Sequence, residues 1–181
     1  MQFERTRLDG AWLISLQRMG DDRGSFARTF CEDEFAAHGL PTHFPQCNIS
    51  ANTHAGTMRG MHFNAPPFAE SKYLRCVRGA VHDVIVDLRR ESSSFGQSFG
   101  VELSAENGLA LFVPAGFAHG FLTLRDDTDV HYHMGAKYQP DAGRGFRWND
   151  PMFAVEWPSQ PSVISPRDAA YPDFDETLLD P

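Results

Sequence analysis

The feature that most limits what this chain can fold into is a succession of short runs rich in Val, Ile, Phe, Tyr and Leu, separated by Gly, Pro, Asn and Asp. Such runs, with turn residues between them, are typical of β-strands. The predicted strands are Ala11–Leu16, Ser25–Phe30, Phe44–Ser50, Thr57–Phe63, Lys72–Arg78, Ala80–Leu88, Ser98–Leu103, Ala110–Val113, Gly120–Leu124 and Val130–Met134. So many short strands in 181 residues favour an all-β sandwich or barrel.

Two other segments are predicted from their composition. Glu32–His38 is predicted as a short helix, because acidic residues in the first turn suit the helix dipole and Gly39 can end the helix. From Asn149 onward we predict an extended tail laid over the body, since prolines disfavour regular strands there: Pro151, Pro158, Pro161, Pro166 and Pro172. No repeat or low-complexity run divides the sequence, so we expect one domain spanning residues 1–181.

Charge and composition limit the partners. A net charge of −8 argues against a nucleic-acid surface, because a phosphate backbone requires a basic footprint. No stretch approaches the roughly 20 apolar residues that span a bilayer, and the first residues do not resemble a signal peptide, so we expect no membrane partner and a cytoplasmic location. Cys31, Cys47 and Cys76 lack metal-ligand spacing and are expected to be reduced thiols.

Arg59 and His62 place a cation and an imidazole close together in one predicted strand. In a regular strand the two side chains would point to opposite faces. Gly60, which lies between them, can host a bulge that turns both inward. The alternative is an exposed arginine and a histidine packed in the core.

The segment Pro114–Gly120 has the P-x-G-x-x-H spacing of the second cupin motif, in which the histidine is His119. In a cupin this histidine points into the barrel, often towards a metal. A metal cupin also needs an earlier His-x-His, because transition metals take three or more N or O ligands. His62 is instead followed by Phe63 and Asn64, so a pocket without metal is favoured.

His131 and His133 are a possible metal pair, because alternate residues share one face of a strand. The same alternation places Tyr132 on the other face with Val130 and Met134. If that apolar face points inward, Tyr132 lines the pocket or packs in the core, and both histidines lie outside.

Three charged residues lie within or at the start of apolar strands. Lys72 opens the run Lys72–Arg78, where a lysine is usually a solvated edge charge. Asp83 and Asp87 share a face with Val81 and Ile85. Carboxylates on an apolar face require a cation or hydrogen bonds to satisfy them.

Together these segments resemble the dTDP-4-dehydrorhamnose 3,5-epimerase family over most of the chain. The matching blocks are Asp22–Phe26, Arg59–Phe63, Ser71–Cys76, Val84–Arg89, Phe95–Gln97, Leu103–Asn107, Gly116–Phe121, Trp148–Pro151, Glu156–Pro158 and Ser165–Asp168. Each block alone is weak, but their order and spacing along one chain make the resemblance specific.

The resemblance implies a cupin-like jelly roll (a double-stranded β-helix) that forms a homodimer, contains no metal or organic cofactor and acts on a nucleotide-linked 4-keto-6-deoxyhexose. It implies His62 as general base, Asp168 as its orienting partner and Lys72 beside the C4 oxygen. Tyr132 is implied as the acid on the opposite sugar face. The implied substrate-binding residues are Arg23, Phe26, Arg28, Gln46, Asn48, Arg59, Asp83, His119, Tyr138 and Arg167.

The residue types also fit the chemistry without the family name. A carbon next to a ketone can lose a proton because the charge moves to the ketone oxygen as an enolate. This step needs a base that works near neutral pH, such as His62, and a positive group at the oxyanion, such as Lys72. Inversion then needs a proton from the other face, which a phenol can give. Taken with the resemblance, these residues predict an isomerase reaction that inverts C3 and C5.

One departure from the family leaves alternatives open. Arg28 stands where the family commonly has glutamate, at a position near the nucleoside. A CDP- or GDP-linked substrate, inversion at one carbon and a ketoisomerase reaction therefore remain alternatives. A metal cupin and a non-catalytic sugar-binding module are further interpretations of the same fold.

Overall fold

The computed structural model describes residues 1–180. Its strands are β1 (Gln2–Arg5), β2 (Trp12–Ser15), β3 (Met19–Asp21), β4 (Gly24–Phe26), β5 (Gln46–Asn52), β6 (Thr57–Asn64), β7 (Lys72–Arg78), β8 (Ala80–Asp87), β9 (Ser98–Ser104), β10 (Ala110–Val113), β11 (Phe117–Thr123), β12 (Thr128–Met134), β13 (Gly143–Gly145) and β14 (Val163–Ile164). The helices are α1 (Glu32–Ala37), α2 (Pro166–Ala169) and a 3-10 helix (Glu176–Leu179).

Most of the strands form two sheets that face each other. The first sheet has the order β1-β2-β10-β7-β12-β5, and the second has the order β13-β6-β11-β8-β9, with β14 added in parallel to β6. The hairpin β3–β4 pairs with neither sheet. Neighbours that are distant in sequence, such as β2 with β10 and β6 with β11, give the crossed connections of a jelly roll. The prediction of an all-β, cupin-like jelly roll is confirmed.

Alternation along the strands fills the space between the sheets. Leu74 and Val130 point inward from the first sheet, and Ile85 and Phe121 from the second. All four side chains are almost completely inaccessible to solvent. The intervening residues of the same strands consequently face outward.

A different part of the chain covers each outer face. The segment after Asn149 packs Phe153, Trp157 and Phe174 against the second sheet. Helix α1 contributes Phe35 to a cluster over the first sheet. Because the second sheet is covered on both faces, β11 is buried along its whole length.

A bulge in β6 changes the direction of the side chains that follow it. Arg59 lies opposite Phe121 of β11, whereas His62 lies opposite His119, so β6 has one more residue than β11 between these pairs. Arg59 and His62 therefore line the same cavity between the sheets. The predicted bulge is confirmed.

Two glycines allow this bulge. Gly60 has a φ of +128°, which favours glycine, and a Cβ placed on it would lie 2.6 Å from the Cα of Gly120. A Cβ on Gly120 would in turn lie 2.9 Å from the carbonyl oxygen of Arg59. The backbones of β6 and β11 are thus too close at this point for any side chain.

Several boundaries differ from the sequence-based prediction. Strand β11 begins at Phe117 rather than Gly120, so His119 lies within the strand. The predicted strand Ser25–Phe30 ends at Phe26, where the hairpin ends. The short strands β1, β3, β13 and β14 were not predicted, because two to four residues give too little periodicity.

The tail from Asn149 onward is not extended throughout. The segment contains β14, α2 and a 3-10 helix. Pro166 does not prevent α2, because it occupies the first turn, where no backbone N–H is required for the helix. Ser165 caps this helix by accepting a hydrogen bond from the backbone N–H of Asp168 at 3.0 Å.

No helix within residues 1–180 has both the length and the apolar composition needed to cross a bilayer. Cys31, Cys47 and Cys76 are all free thiols. Burial raises the pKa of Cys76 to about 11, so this thiol stays protonated at neutral pH.

We expect Gly60→Ala to destabilise the protein by at least about 3 kcal/mol, because it combines an unfavourable φ with overlap against Gly120. Gly39→Ala is the matched control, since Gly39 also has a positive φ but a Cβ added there would meet no other atom within 4 Å. Its expected cost is only about 1 kcal/mol. Urea unfolding of the two variants measures the difference, and equal costs would contradict the close approach of β6 and β11.

Candidate active site

A cavity of about 250 Å³ opens between the two sheets. It is lined by Asn48, Ile49, Ser50, Arg59, His62, Lys72, His119, Phe121, Tyr132 and Met134. The first sheet supplies Lys72 and Tyr132, and the second supplies His62 and His119. The cavity therefore has an imidazole and a phenol on opposite walls.

A larger cavity of about 410 Å³ lies on the outer side of the second sheet, beside the segment Ala154–Glu156. Its polar lining includes Arg7, His82 and Glu156. None of the residues predicted to act on a substrate lies there. We therefore place the candidate active site in the cavity between the sheets.

His62 and Asp168 form a hydrogen-bonded pair, although 106 positions separate them. The Nε2 atom of His62 lies 2.8 Å from Oδ1 of Asp168. The other carboxylate oxygen accepts the backbone N–H of Gly60 at 3.2 Å. Helix α2 thus brings Asp168 to the edge of the cavity, where 43% of the His62 side chain is accessible.

The protonation state of Asp168 fixes the tautomer of His62. Burial raises the pKa of Asp168, but the hydrogen bond and the charge of His62, together with the hydrogen bonds from Gly60 and Ser165, outweigh it and hold the pKa below its usual value. The carboxylate is therefore ionised at neutral pH and can only accept. Nε2 of His62 must carry the proton, which leaves Nδ1 as the free basic nitrogen.

His119 and Asp83 form a second, more deeply buried pair. Nε2 of His119 lies 2.9 Å from Oδ2 of Asp83, and both side chains are almost fully enclosed. The imidazole of His119 also makes an edge-to-face contact with Tyr132, with 5.8 Å between the ring centres. The pair therefore packs against the ring of Tyr132 through His119.

The phenol of Tyr132 has a raised pKa and stays protonated at neutral pH. Burial, followed by the nearby negative charge of Asp83, raises its pKa well above the usual value, although the charge of Arg59 opposes the shift. Tyr132 is consequently neutral and able to donate a hydrogen bond at neutral pH. Its inward direction, with His131 and His133 on the outer face, agrees with the alternation expected from the sequence.

Lys72 is a buried cation rather than a solvated edge charge. Its Nζ lies 3.2 Å from Oε1 of Glu70, and both side chains are about one-tenth exposed. Glu70 was not singled out in the sequence. The only signal was an acid two residues before a lysine, which is common on protein surfaces.

Arg59 is held by a neutral partner. Its Nε donates to Oδ1 of Asn52 at 2.7 Å, and the Asn52 amide in turn donates to the carbonyl oxygen of Thr128 at 3.0 Å. Within residues 1–180, Arg59 has no carboxylate at ion-pair distance. Its positive charge is therefore fixed in position but not neutralised. No pattern in the sequence distinguished Asn52 from other polar residues.

Other residues predicted to bind substrate lie outside this cavity. Arg23 and Phe26 belong to the hairpin β3–β4, and their side chains are exposed. Arg28 pairs with Glu34 of α1 at 2.7 Å. One chain therefore does not bring these three residues to the cavity.

The remaining predicted residues belong to β5, to α2 and to the segment between β12 and β13. Gln46 and Asn48 both belong to β5, and only Asn48 lines the cavity. Oε1 of Gln46 accepts the backbone N–H of Tyr138 at 2.9 Å. Arg167, on α2, places its guanidinium 5.8 Å from the centre of the Tyr171 ring. Tyr138 is largely exposed.

The second carboxylate predicted on the apolar face of β8 is satisfied without contacting the cavity. Asp87 accepts hydrogen bonds from Arg89, Ser92 and Ser94. Burial raises its pKa, but these bonds lower it to about 2. Asp87 therefore serves as a structural anion. Among residues 1–180, no three His, Cys, Asp or Glu side chains are grouped as metal ligands.

The chain matches a known protein family over most of its length. Residues 5–176 match the family model of dTDP-4-dehydrorhamnose 3,5-epimerase. The dTDP-4-dehydrorhamnose 3,5-epimerase of Sinorhizobium fredii is 41% identical over 177 residues, which covers 97% of this chain and 91% of the relative.

Solved structures of related enzymes have the same fold. The dTDP-4-dehydrorhamnose 3,5-epimerase of Bacillus anthracis, with TDP and PPi bound, has a TM-score of 0.92 and 39% identity, and the match covers 96% of this chain and 99% of that one. A 3'-monoepimerase from Streptomyces bikiniensis, in complex with dTDP-quinovose, has a TM-score of 0.86 and 32% identity, covering 93% and 85%.

We expect His62→Ala to raise the pKa of Asp168, because burial remains while the opposing hydrogen bond and charge are removed. In the wild type, the pKa of Asp168 is lower in the folded state than in the unfolded state. Ionised Asp168 therefore adds to the free energy of unfolding above its ordinary pKa, and this contribution is lost as the pH falls through the folded-state pKa. Titration of the Asp168 carboxyl carbon by NMR measures the shift. His131→Ala, which removes an imidazole from the outer face, is the control and should leave the Asp168 titration unchanged.

Proposed function

The chain belongs to the dTDP-4-dehydrorhamnose 3,5-epimerase family and is therefore an isomerase, and on that premise we propose that it converts dTDP-4-dehydro-6-deoxy-D-glucose to dTDP-4-dehydro-L-rhamnose. The observation that carries the proposal is the position of His62 and Tyr132 on opposite walls of one cavity. Inversion requires a proton to leave one face of a carbon and another proton to arrive at the opposite face. A base and an acid on facing sheets meet that requirement.

His62 is the proposed base. Its Nε2 is occupied by the ionised Asp168, so Nδ1 can accept the proton from the carbon next to the C4 ketone. The C–H bond breaks, its electron pair moves towards the C4 oxygen, and His62 becomes an imidazolium. Asp168 stabilises this cation at 2.8 Å, as a carboxylate does for an imidazole in other acid–base pairs.

Lys72 is the proposed stabiliser of the enolate. Its ammonium group lines the cavity from the first sheet, where burial strengthens its attraction for an oxyanion. Glu70 holds the ammonium from one side only, which leaves other N–H donors available. No cofactor is needed for this step, because the ketone itself accepts the electron pair.

Tyr132 is the proposed acid. Its raised pKa keeps the phenol protonated until the enolate carbon becomes basic enough to take the proton. Delivery from the first sheet reverses the configuration, because His62 removed the original proton from the side of the second sheet. Exchange with solvent then returns a proton to Tyr132 and removes one from His62. Since C3 and C5 both flank C4, the same groups can serve both carbons.

The uncompensated charge of Arg59 suits a diphosphate. Its guanidinium is oriented by the Asn52 amide rather than neutralised by a carboxylate, so its full charge is available to an anion. Gln46, Asn48, His119, Tyr138 and Arg167 are proposed as the remaining contacts of the substrate within one chain. Asp83 acts through His119 and Tyr132.

A homodimer would explain why Arg23, Phe26 and Arg28 lie outside the cavity of their own chain. The side chain of Phe26 is exposed by 72%, and Met19 beside it is also exposed, although both are large and apolar. The hairpin that carries them has no neighbouring strand in either sheet. We therefore propose that the β3–β4 hairpin of one protomer presents Arg23 and Phe26 to the cavity of its partner, with Arg28 at the edge of this contact.

Inversion at C3 alone is the second candidate, because the fold is shared with a 3'-monoepimerase. The choice between the two depends on whether both carbons reach Nδ1 of His62 and the Tyr132 phenol.

We expect the wild-type enzyme to incorporate deuterium at both C3 and C5 of dTDP-4-dehydro-6-deoxy-D-glucose in deuterated water. His62→Asn should abolish incorporation at both carbons, because no base remains. Tyr132→Phe should still permit exchange through His62, but should lower net epimerisation by about 100-fold or more, because the opposite-face acid is missing. NMR of the recovered nucleotide sugar measures both quantities.

Label at C3 alone would favour the second candidate. Unchanged exchange in His62→Asn would overturn the assignment of the base. Absence of exchange in the wild type with dTDP-, CDP- and GDP-linked substrates would overturn the proposed function.

For the shared site, we expect a mixed dimer of a His62→Asn chain and an Arg23→Ala chain to recover about half of the wild-type activity. One of its two cavities would then contain both an intact His62 and the partner's intact hairpin, while the other would contain both defects. Differently tagged chains, co-expressed and purified in two affinity steps, provide the mixed dimer for a rate measurement.

The matched control is a mixed dimer of His62→Asn and Asp168→Asn chains. These two residues contact each other within one chain, so each cavity would keep one defect and activity should not return. Recovery in the control, or its absence in the test dimer, would contradict the proposed exchange of hairpins.

A further inference from the structure

The ring of Tyr171 lies against the imidazole of His62. The centres of the two rings are 5.9 Å apart and their planes are inclined by 70°, which is an edge-to-face contact. Tyr171 follows α2, three positions after Asp168, and its backbone N–H donates to the Asp168 carbonyl at 3.4 Å. One short segment of the tail therefore contacts His62 with both a carboxylate and an aromatic ring.

Gly145 makes room for this ring. It lies directly opposite His62 in the pairing of β13 with β6. A Cβ on Gly145 would lie 2.5 Å from two carbon atoms of the Tyr171 ring, so the ring rests against bare backbone. The guanidinium of Arg167 lies over the same ring, 5.8 Å from its centre. Tyr171 is thus held between the second sheet and α2.

The imidazole of His62 needs a second support. Its hydrogen bond to Asp168 fixes one nitrogen, but a ring held at one point can still tilt about that point. With 43% of the side chain accessible, the sheet alone does not restrain the tilt. A proton transfer depends steeply on the distance and direction of the basic nitrogen.

We propose that Tyr171 is a positioning residue that holds the His62 ring at the tilt in which Nδ1 faces the substrate. This inference rests on the proposed role of His62 as the base. Tyr171 itself does not line the cavity. Its effect passes through the imidazole.

The contact works through the ring rather than the hydroxyl group. The Tyr171 hydroxyl oxygen is buried and has no hydrogen-bond partner within residues 1–180. Removing an unsatisfied hydroxyl does not break a bond and can remove a desolvation cost. Phenylalanine should therefore support His62 as well as tyrosine does.

We expect Tyr171→Ala to lower kcat by about three- to tenfold while KM changes by less than about twofold, because an edge-to-face contact has about that worth. Tyr171→Phe should restore kcat to near the wild-type value and should keep or raise Tm. Steady-state kinetics and thermal unfolding provide the readouts. An unchanged kcat in Tyr171→Ala would overturn the proposal, and so would a loss in Tyr171→Phe as large as in Tyr171→Ala.

A second measurement does not depend on activity. In the substrate-free protein, the ¹⁵N NMR signals of His62 should show a single tautomer protonated at Nε2, and Tyr171→Ala should speed exchange of this N–H with water by about the same three- to tenfold. If the wild type has no epimerase activity but Tyr171→Ala still speeds this exchange, the proposed function is refuted while the support of the His62 ring by Tyr171 stands. An unchanged exchange rate would overturn the positioning role even if the enzyme is an epimerase.

Phe174→Ala is the matched control for general loosening of the tail. Phe174 belongs to the same tail and packs against Phe146 and Phe153, but makes no ring contact with His62. It should lower Tm and leave the His62 signals unchanged. Equal changes in the His62 signals of Tyr171→Ala and Phe174→Ala would show a merely structural effect and overturn the proposal.

Discussion

The close approach of β6 and β11 at Gly60 and Gly120 is the constraint on which the rest of the site depends. In a regular strand, Arg59 and His62 would face opposite sides of the second sheet, and one of them would be lost beneath the tail. The extra residue in β6 places both in the cavity, and only glycine allows the two backbones to lie so near. At the bulge, the backbone N–H of Gly60 donates a hydrogen bond to Asp168, so the bulge also helps to hold the carboxylate in place.

Most of the ionisable side chains that line the cavity are paired with a carboxylate. Three of its ionisable side chains have an acidic partner: His62 has Asp168, His119 has Asp83, and Lys72 has Glu70. Arg59 has an amide instead. A chain with a net charge of −8 can therefore offer one uncompensated cation to an anionic ligand without attracting polyanions over its whole surface.

The sequence predicted the jelly roll and the inward direction of Tyr132, because alternation within long strands such as β8 and β12 leaves little choice of face. It also predicted the bulge, because Gly60 lies between Arg59 and His62 and a glycine within a strand can host one. It did not predict β13 or α2, whose few residues have no readable period. Glu70, Asn52 and Tyr171 were missed for a different reason, since each acts through a contact distant in sequence or indistinguishable from ordinary surface composition.

The position of Asp168 in the tail has a consequence for the assembly of the site. His62 lies in β6, whereas Asp168 lies beyond β14, on a segment that docks on the second sheet. The proposed base and its carboxylate partner therefore meet only when α2 is in place. A chain in which α2 is displaced lacks the carboxylate that fixes the tautomer of His62. Docking of α2 is thus a requirement for the proposed chemistry as well as for packing.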